Sequence, residues 1–191
     1  MSARLAMLAL FTFATASSAD EKRMLTITTS KALPKFDTVL VYKAGAAISG
    51  KEKVKPVLTA KFGEAIALPD DGPFDVYVKP KGQENVLAAA KLGVKAGKSH
   101  EVKLGELFGA VQVFQNDDSP RLGKIVITSQ DDPGPDEKGH VAVQTGTEYR
   151  EELVVPDGVY AVWLVSGNGA RGQRIADRIR VLAGRTVRVG E

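Results

Sequence analysis

The phrase Leu-Pro-Asp-Asp-Gly-Pro-Phe-Asp-Val-Tyr-Val at Leu68–Val78 returns as Val-Pro-Asp-Gly-Val-Tyr-Ala-Val-Trp-Leu at Val155–Leu164. It is one point in a self-match that runs along the chain at a shift of about 86 residues. Pro34 and Val39 fall on Pro120 and Ile125, and Phe74 and Tyr77 fall on Tyr160 and Trp163. Ala67–Pro69 falls on Val154–Pro156 one residue out of step, with Asp71 or Asp70 the extra residue of the first copy, and Leu92–Lys98 falls on Ile179–Arg185 at a shift of 87. Ordered matches at nearly constant spacing restrict the fold more than composition does. One unit must close within about 86 residues and be made twice. The expected division is Asp20–Leu107 and Phe108–Glu191.

Each unit reads as seven short stretches with two-residue alternation, separated by Gly, Pro and Asp. In the first these are Leu25–Thr29, Phe36–Lys43, Val54–Lys61, Glu64–Leu68, Phe74–Lys79, Ala88–Val94 and His100–Leu104. In the second they are Ala110–Gln115, Gly123–Ser129, His140–Gly146, Glu151–Val155, Val159–Val165, Ile175–Val181 and Thr186–Val189. The chain is therefore expected to be all-β: two tandem seven-stranded antiparallel β-sandwich domains. Asn85–Gly93 has a helical composition, but its counterpart leads into an Ile-Arg-Val alternation, which favours a strand. Val159–Val165 is apolar at almost every position, as befits an inner strand covered on both faces. The matching strand of the first copy carries Pro73 and Asp75, which predicts a more edge-like strand and a docking place for a partner. Pro156 should end a strand, with Gly158 taking a positive φ in the turn, and Gly97 and Gly184 should do the same between the last two strands.

Compartment is read from the N-terminus. Arg4 precedes an apolar run, Leu5–Ala16, and Ser17-Ser18-Ala19 offers a small-residue cleavage site. Met1–Ala19 is expected to be a secretory signal peptide, placing the protein in the periplasm or outside the cell. The run is too short for a stable membrane span. The chain has no cysteine, which removes disulfides, thiol nucleophiles and thiolate metal sites. A net charge of +3 gives no reason to expect nucleic acid.

The order of these stretches, ending in "LPDDGPFDVYV … LGVKAGKSHEVKL" and "VPDGVYAVWLV … IRVLAGRTVRV", resembles the carboxypeptidase regulatory-like domain of the transthyretin-like (prealbumin-like) sandwich. The resemblance covers nearly all of the expected mature chain as two tandem copies. It implies a non-catalytic accessory, adhesion or ligand-binding role without specifying the ligand. Transthyretin-like hydrolases end in Tyr-Arg-Gly-Ser, whereas this chain ends "TVRVGE", so that activity is not carried over.

Candidate chemistry is sparse. His100 and His140 are the two histidines, and no Gly-X-Ser-X-Gly is present. Asp131, Asp132, Asp136 and Glu137 offer oxygen ligands of the kind calcium takes, but their order is not that of an EF-hand, and Pro133, Pro135 and Lys138 interrupt it. The segment reads as a solvated acidic loop, and no metal or cofactor is expected. Charge is more informative. Ten acids and four bases lie between Asp117 and Asp157, whereas Arg171–Arg188 holds six arginines and one acid, Asp177. On a regular strand Arg178 and Arg180 share a face, Arg174 fits their parity, and Arg188 would join across the hairpin. Guanidinium groups bind carboxylate, sulfate and phosphate bidentately, so Arg174, Arg178, Arg180 and Arg188 are candidate contacts for an anionic glycan. Tyr77 and Trp163 occupy matched positions and are candidates for either a ligand platform or the junction between domains.

The functional expectation is an exported non-catalytic binding or structural protein of the cell envelope. It would meet a protein or an envelope polymer through sandwich edges and loops. An anionic-glycan module built on the arginine hairpin is the alternative, and a hydrolase built around His140 and the acidic loop is a third reading. The short apolar link at Glu106–Phe108 predicts close docking of the two units. The sequence leaves the oligomeric state open.

Overall fold

The computed structural model describes residues 22–46, 54–115, 122–167 and 172–190. The expected signal peptide, Met1–Ala19, lies outside them, as do Asp117, Pro120, Arg121 and Arg171. Among the described residues the chain is all β apart from one 3₁₀ turn at Leu104–Glu106. The first half contains β1 (Arg23–Thr28), β2 (Phe36–Lys43), β3 (Leu58–Lys61), β4 (Ile66–Leu68), β5 (Phe74–Pro80), β6 (Val86–Leu92) and β7 (Ser99–Lys103). The second contains β8 (Phe108–Val113), β9 (Leu122–Ser129), β10 (Ala142–Gly146), β11 (Glu152–Pro156), β12 (Gly158–Ser166), β13 (Gln173–Val181) and β14 (Thr186–Val189).

These strands make four sheets. β4-β1-β7 and β3-β2-β5-β6 belong to the first half, and β11-β8-β14 and β10-β9-β12-β13 to the second. Strand for strand, the order is the same in both halves. Pairing is antiparallel throughout, except that β1 with β7 and β8 with β14 are parallel. The expectation of purely antiparallel sheets is corrected on that point. First and last strands of a half are far apart in sequence, so no hairpin dictates their direction.

Alternation buries one face of each sheet against its partner. Leu25 and Ile27 of β1 meet Val39 and Val41 of β2 and Phe74, Val76 and Val78 of β5 in one core. Val111 and Val113 of β8 meet Ile125 and Ile127 of β9 and Tyr160, Val162 and Leu164 of β12 in a second core. Each half is thus sandwich-like. β12 lies between β9 and β13, as its nearly continuous apolar run requires. The stretch Asn85–Gly93 contains strand β6 rather than a helix.

Two sequence expectations about the repeated phrase fail. β5 is as much an inner strand as β12, lying between β2 and β6. Asp75 does not mark an exposed edge: its carboxylate accepts the backbone N–H groups of Lys91 and Gly45, each at 2.9 Å. Those bonds hold its carboxyl below the ordinary carboxylate value. Gly158, for its part, does not adopt a positive φ. A Cβ there would lie 2.8 Å from the Tyr160 hydroxyl, which donates to the Pro156 carbonyl at 2.8 Å and closes the corner. Gly97 and Gly184 do adopt the expected left-handed turn, at φ 68° and 70°.

The halves are not separate cores on a string. Phe108 of β8 and Val154 of β11 belong to the first core, while Val111, Val113, Leu153 and Val155 of the same strands belong to the second. Successive side chains on a strand point to opposite faces, so the β11-β8-β14 sheet serves both cores. The Thr186 hydroxyl adds a bond to the Ala32 carbonyl at 3.3 Å across the junction.

Candidate functional site

Of the four candidate arginines, Arg174 and Arg180 share a strand face and Arg188 lies on another sheet. Register shifts between β12 and β13 fall at Tyr160/Val162 and Val162/Trp163. The two one-residue shifts offset each other, so Arg174 and Arg180 still share the outer face of β13, while Arg178 falls in the bulge between them. Arg174 lies opposite Trp163 and Arg180 opposite Val159. Arg174 bonds Asp177 at 2.5 Å and the Gln130 carbonyl at 3.1 Å, and its guanidinium lies 5.3 Å from the Trp163 ring centroid. Arg180 bonds Asp157 at 2.8 Å. Arg178 is the left-handed residue of the bulge, at φ 53°. Arg188 does not join these three, because the Leu182–Arg185 turn carries the chain from the four-stranded sheet to the three-stranded one. Its guanidinium lies 5.8 Å from the Phe114 ring.

Tyr77 and Trp163 sit at equivalent places on β5 and β12, half-buried on the faces turned away from the cores. Tyr77 meets Tyr42 edge to face at 5.7 Å. Burial, then the charge of Asp75 and the neighbouring Tyr42, push its hydroxyl above the ordinary phenol value. Trp163 donates its indole N–H to the Thr128 hydroxyl at 3.1 Å, and Gly134 lies against its ring. Neither fills the junction between the halves; Phe108 and Val154 do.

His140 and the acidic loop do meet, through one carboxylate. Asp132, with a side chain only 5% exposed, bonds His140 Nδ1 at 2.8 Å and accepts the N–H groups of Gly134 and Val141, each at 2.8 Å. Burial opposes its charge, but the bonds from His140, Val141 and Gly134 outweigh it and hold the carboxyl below its ordinary value. Asp136 turns elsewhere and accepts the Gly172 N–H at 2.6 Å. Among the described residues no three His, Asp or Glu side chains converge in a way that would hold a metal ion. His100 is an exposed residue of β7.

The polar feature that sequence reasoning missed lies between the halves. Gln83, in the turn between β5 and β6, is 7% exposed. Its amide Nε2 donates to the Glu152 carbonyl at 2.6 Å, and its Oε1 accepts the Val154 N–H at 3.0 Å. From the second half, Gln144 Nε2 approaches the Val154 carbonyl at 3.4 Å. Two buried amides therefore occupy the open edge of β11, where a neighbouring strand would otherwise pair. No local motif marks Gln83, since its partners are about 70 residues away.

Beside this contact is a cleft of about 480 Å³. One wall is Gly82–Asn85 with Asp37 and Lys79; the other is Thr145–Thr147. Among the described residues, the side chains of Asp37, Lys79, Glu84, Asn85, Thr145 and Thr147 make no hydrogen bond or ion pair with the protein. A smaller cleft, of about 240 Å³, lies between Pro133–Glu137, Trp163 and Gly172.

Comparison with protein-family models, with curated proteins and with solved structures gives no match to this chain. Among the described residues no helix is long and apolar enough to cross a membrane.

Proposed function

We propose that the chain is an exported, non-catalytic binding or structural protein of the cell envelope, built from two duplicated seven-stranded sandwich domains at 20–107 and 108–191. The resemblance of its strand punctuation to carboxypeptidase regulatory-like domains supports this reading, as does the identical strand order of the two halves. So does the matched bulge in each half, where Lys91 and Arg178 take φ values of 52° and 53°.

The observation that carries the functional part is how polar side chains are employed. Asp132 and His140 close a loop, and Arg174 and Arg180 are bonded to carboxylates. Among the described residues, the cleft between the halves is lined by polar side chains that make no bond to the protein. That distribution suits ligand contact at the junction better than hydrolysis at His140 or anion capture by the hairpin. The bulges at Lys91 and Arg178 also twist the outer edges of β6 and β13, which discourages strand addition there.

The test is co-sedimentation of the mature protein with insoluble envelope polymer, run beside turnover assays on ester and glycoside substrates. Binding without turnover is expected. Turnover that disappears in His140→Ala or Asp132→Asn would overturn the reading.

A further inference from the structure

The cleft between the halves carries an inference that rests on this binding role and goes beyond it. We propose that the cleft is a binding site for an uncharged, hydroxyl-rich glycan. Its volume of about 480 Å³ falls in the range of small-molecule sites, which favour boundaries between domains. Its walls are held from behind. Gln83 is fixed by both ends of its amide to β11, and the Thr147 N–H is bonded to the Glu151 carboxylate at 3.1 Å. At Gly146 a Cβ would lie 2.7 Å from Leu153 and 2.8 Å from Glu151, so the wall is packed against the second core. A fixed wall reduces the ordering cost of binding.

The unpartnered groups decide the class of ligand. Asp37 and Glu84 supply acceptors, Lys79 supplies donors, and Asn85, Thr145 and Thr147 supply both. Among the described residues the lining includes no aromatic or branched aliphatic side chain, so an apolar ligand gains little there. Two carboxylates against one ammonium repel sulfate, phosphate or uronate groups. Lys79 in turn disfavours an amine. A hydroxyl donates to a carboxylate and accepts from an ammonium or amide, so a run of hydroxyls satisfies the whole set.

The experiment is a titration of ¹⁵N-labelled mature protein with maltotriose, cellotriose and N-acetylchitotriose, with glucosamine trimer and a sulfated disaccharide as separate arms. At least one neutral trisaccharide is expected to shift amides in both Gly82–Asn85 and Thr145–Thr147. Asp37→Asn combined with Glu84→Gln should weaken that binding by about tenfold or more, whereas Arg180→Glu should leave it unchanged. Silence of either segment with all three neutral probes overturns the proposal. So does a response confined to the amine or sulfated arm. If the protein still co-sediments with envelope polymer while the cleft stays silent, the site and ligand class fall and the general binding role stands.

Discussion

The side-chain amide of Gln83 accepts the Val154 N–H at 3.0 Å, so a turn in the first half completes the hydrogen bonding of an edge strand in the second. The same amide donates to the Glu152 carbonyl at 2.6 Å. Gln83→Ala leaves a buried donor and a backbone acceptor without partners. The expected loss is about 2–3 kcal/mol, read from urea unfolding. Gln83→Glu should be worse at neutral pH than in acid, because a buried carboxylate replaces the donating amide.

Phe108 is 1% exposed and belongs to the first core although its strand belongs to the second half. Phe108→Ala should cost about 3–5 kcal/mol. The chain has one tryptophan, Trp163, and it lies in the second half. Its fluorescence transition should move together with the far-UV circular dichroism transition. Separate transitions would mean that the halves unfold independently.

Acid should loosen the Asp132 loop. The folded-state carboxyl lies below its ordinary value. Its contribution is therefore fully present above the unfolded-state value and is lost as pH falls through the folded one. Asp132→Asn is expected to cost about 1–3 kcal/mol at neutral pH. The gap between wild type and variant should close as the solution is acidified below the ordinary carboxylate range. A gap independent of pH would contradict a charged Asp132.

The paired bulges predict an unusual tolerance. Lys91 and Arg178 hold left-handed backbone, which costs a side-chain-bearing residue about 1–2 kcal/mol and glycine little. Lys91→Gly and Arg178→Gly should be neutral or stabilising by up to about 1 kcal/mol in thermal melts. Arg178→Val should destabilise, since a branched Cβ suits that φ least.

Strand positions were legible because alternation and Gly/Pro punctuation are local, and Thr186–Val189 was located to the residue. The bulges of β13 were not. A bulge adds one residue without changing composition, and here its left-handed position is filled by Arg178 rather than by a glycine that would announce it. Arg174 and Arg180 keep a common face, each bonded to a carboxylate, while Arg178 is taken up by the bulge and Arg188 lies on another sheet. The cleft was invisible for a different reason. Pairing of β2 with β5 and the turn after β5 gather Asp37, Lys79 and Gln83, and only the docking of the halves adds Thr145.

Amide hydrogen exchange at Val154 tests most directly whether the halves form one interlocked body with a built cleft. Val154 N–H faces the open edge of β11 and owes its protection to Gln83. The amide should be slow to exchange in the wild type and much faster in Gln83→Ala, while Ile127, in the second core, keeps its protection. A Val154 amide that exchanges in the wild type as fast as exposed loop amides would contradict the account.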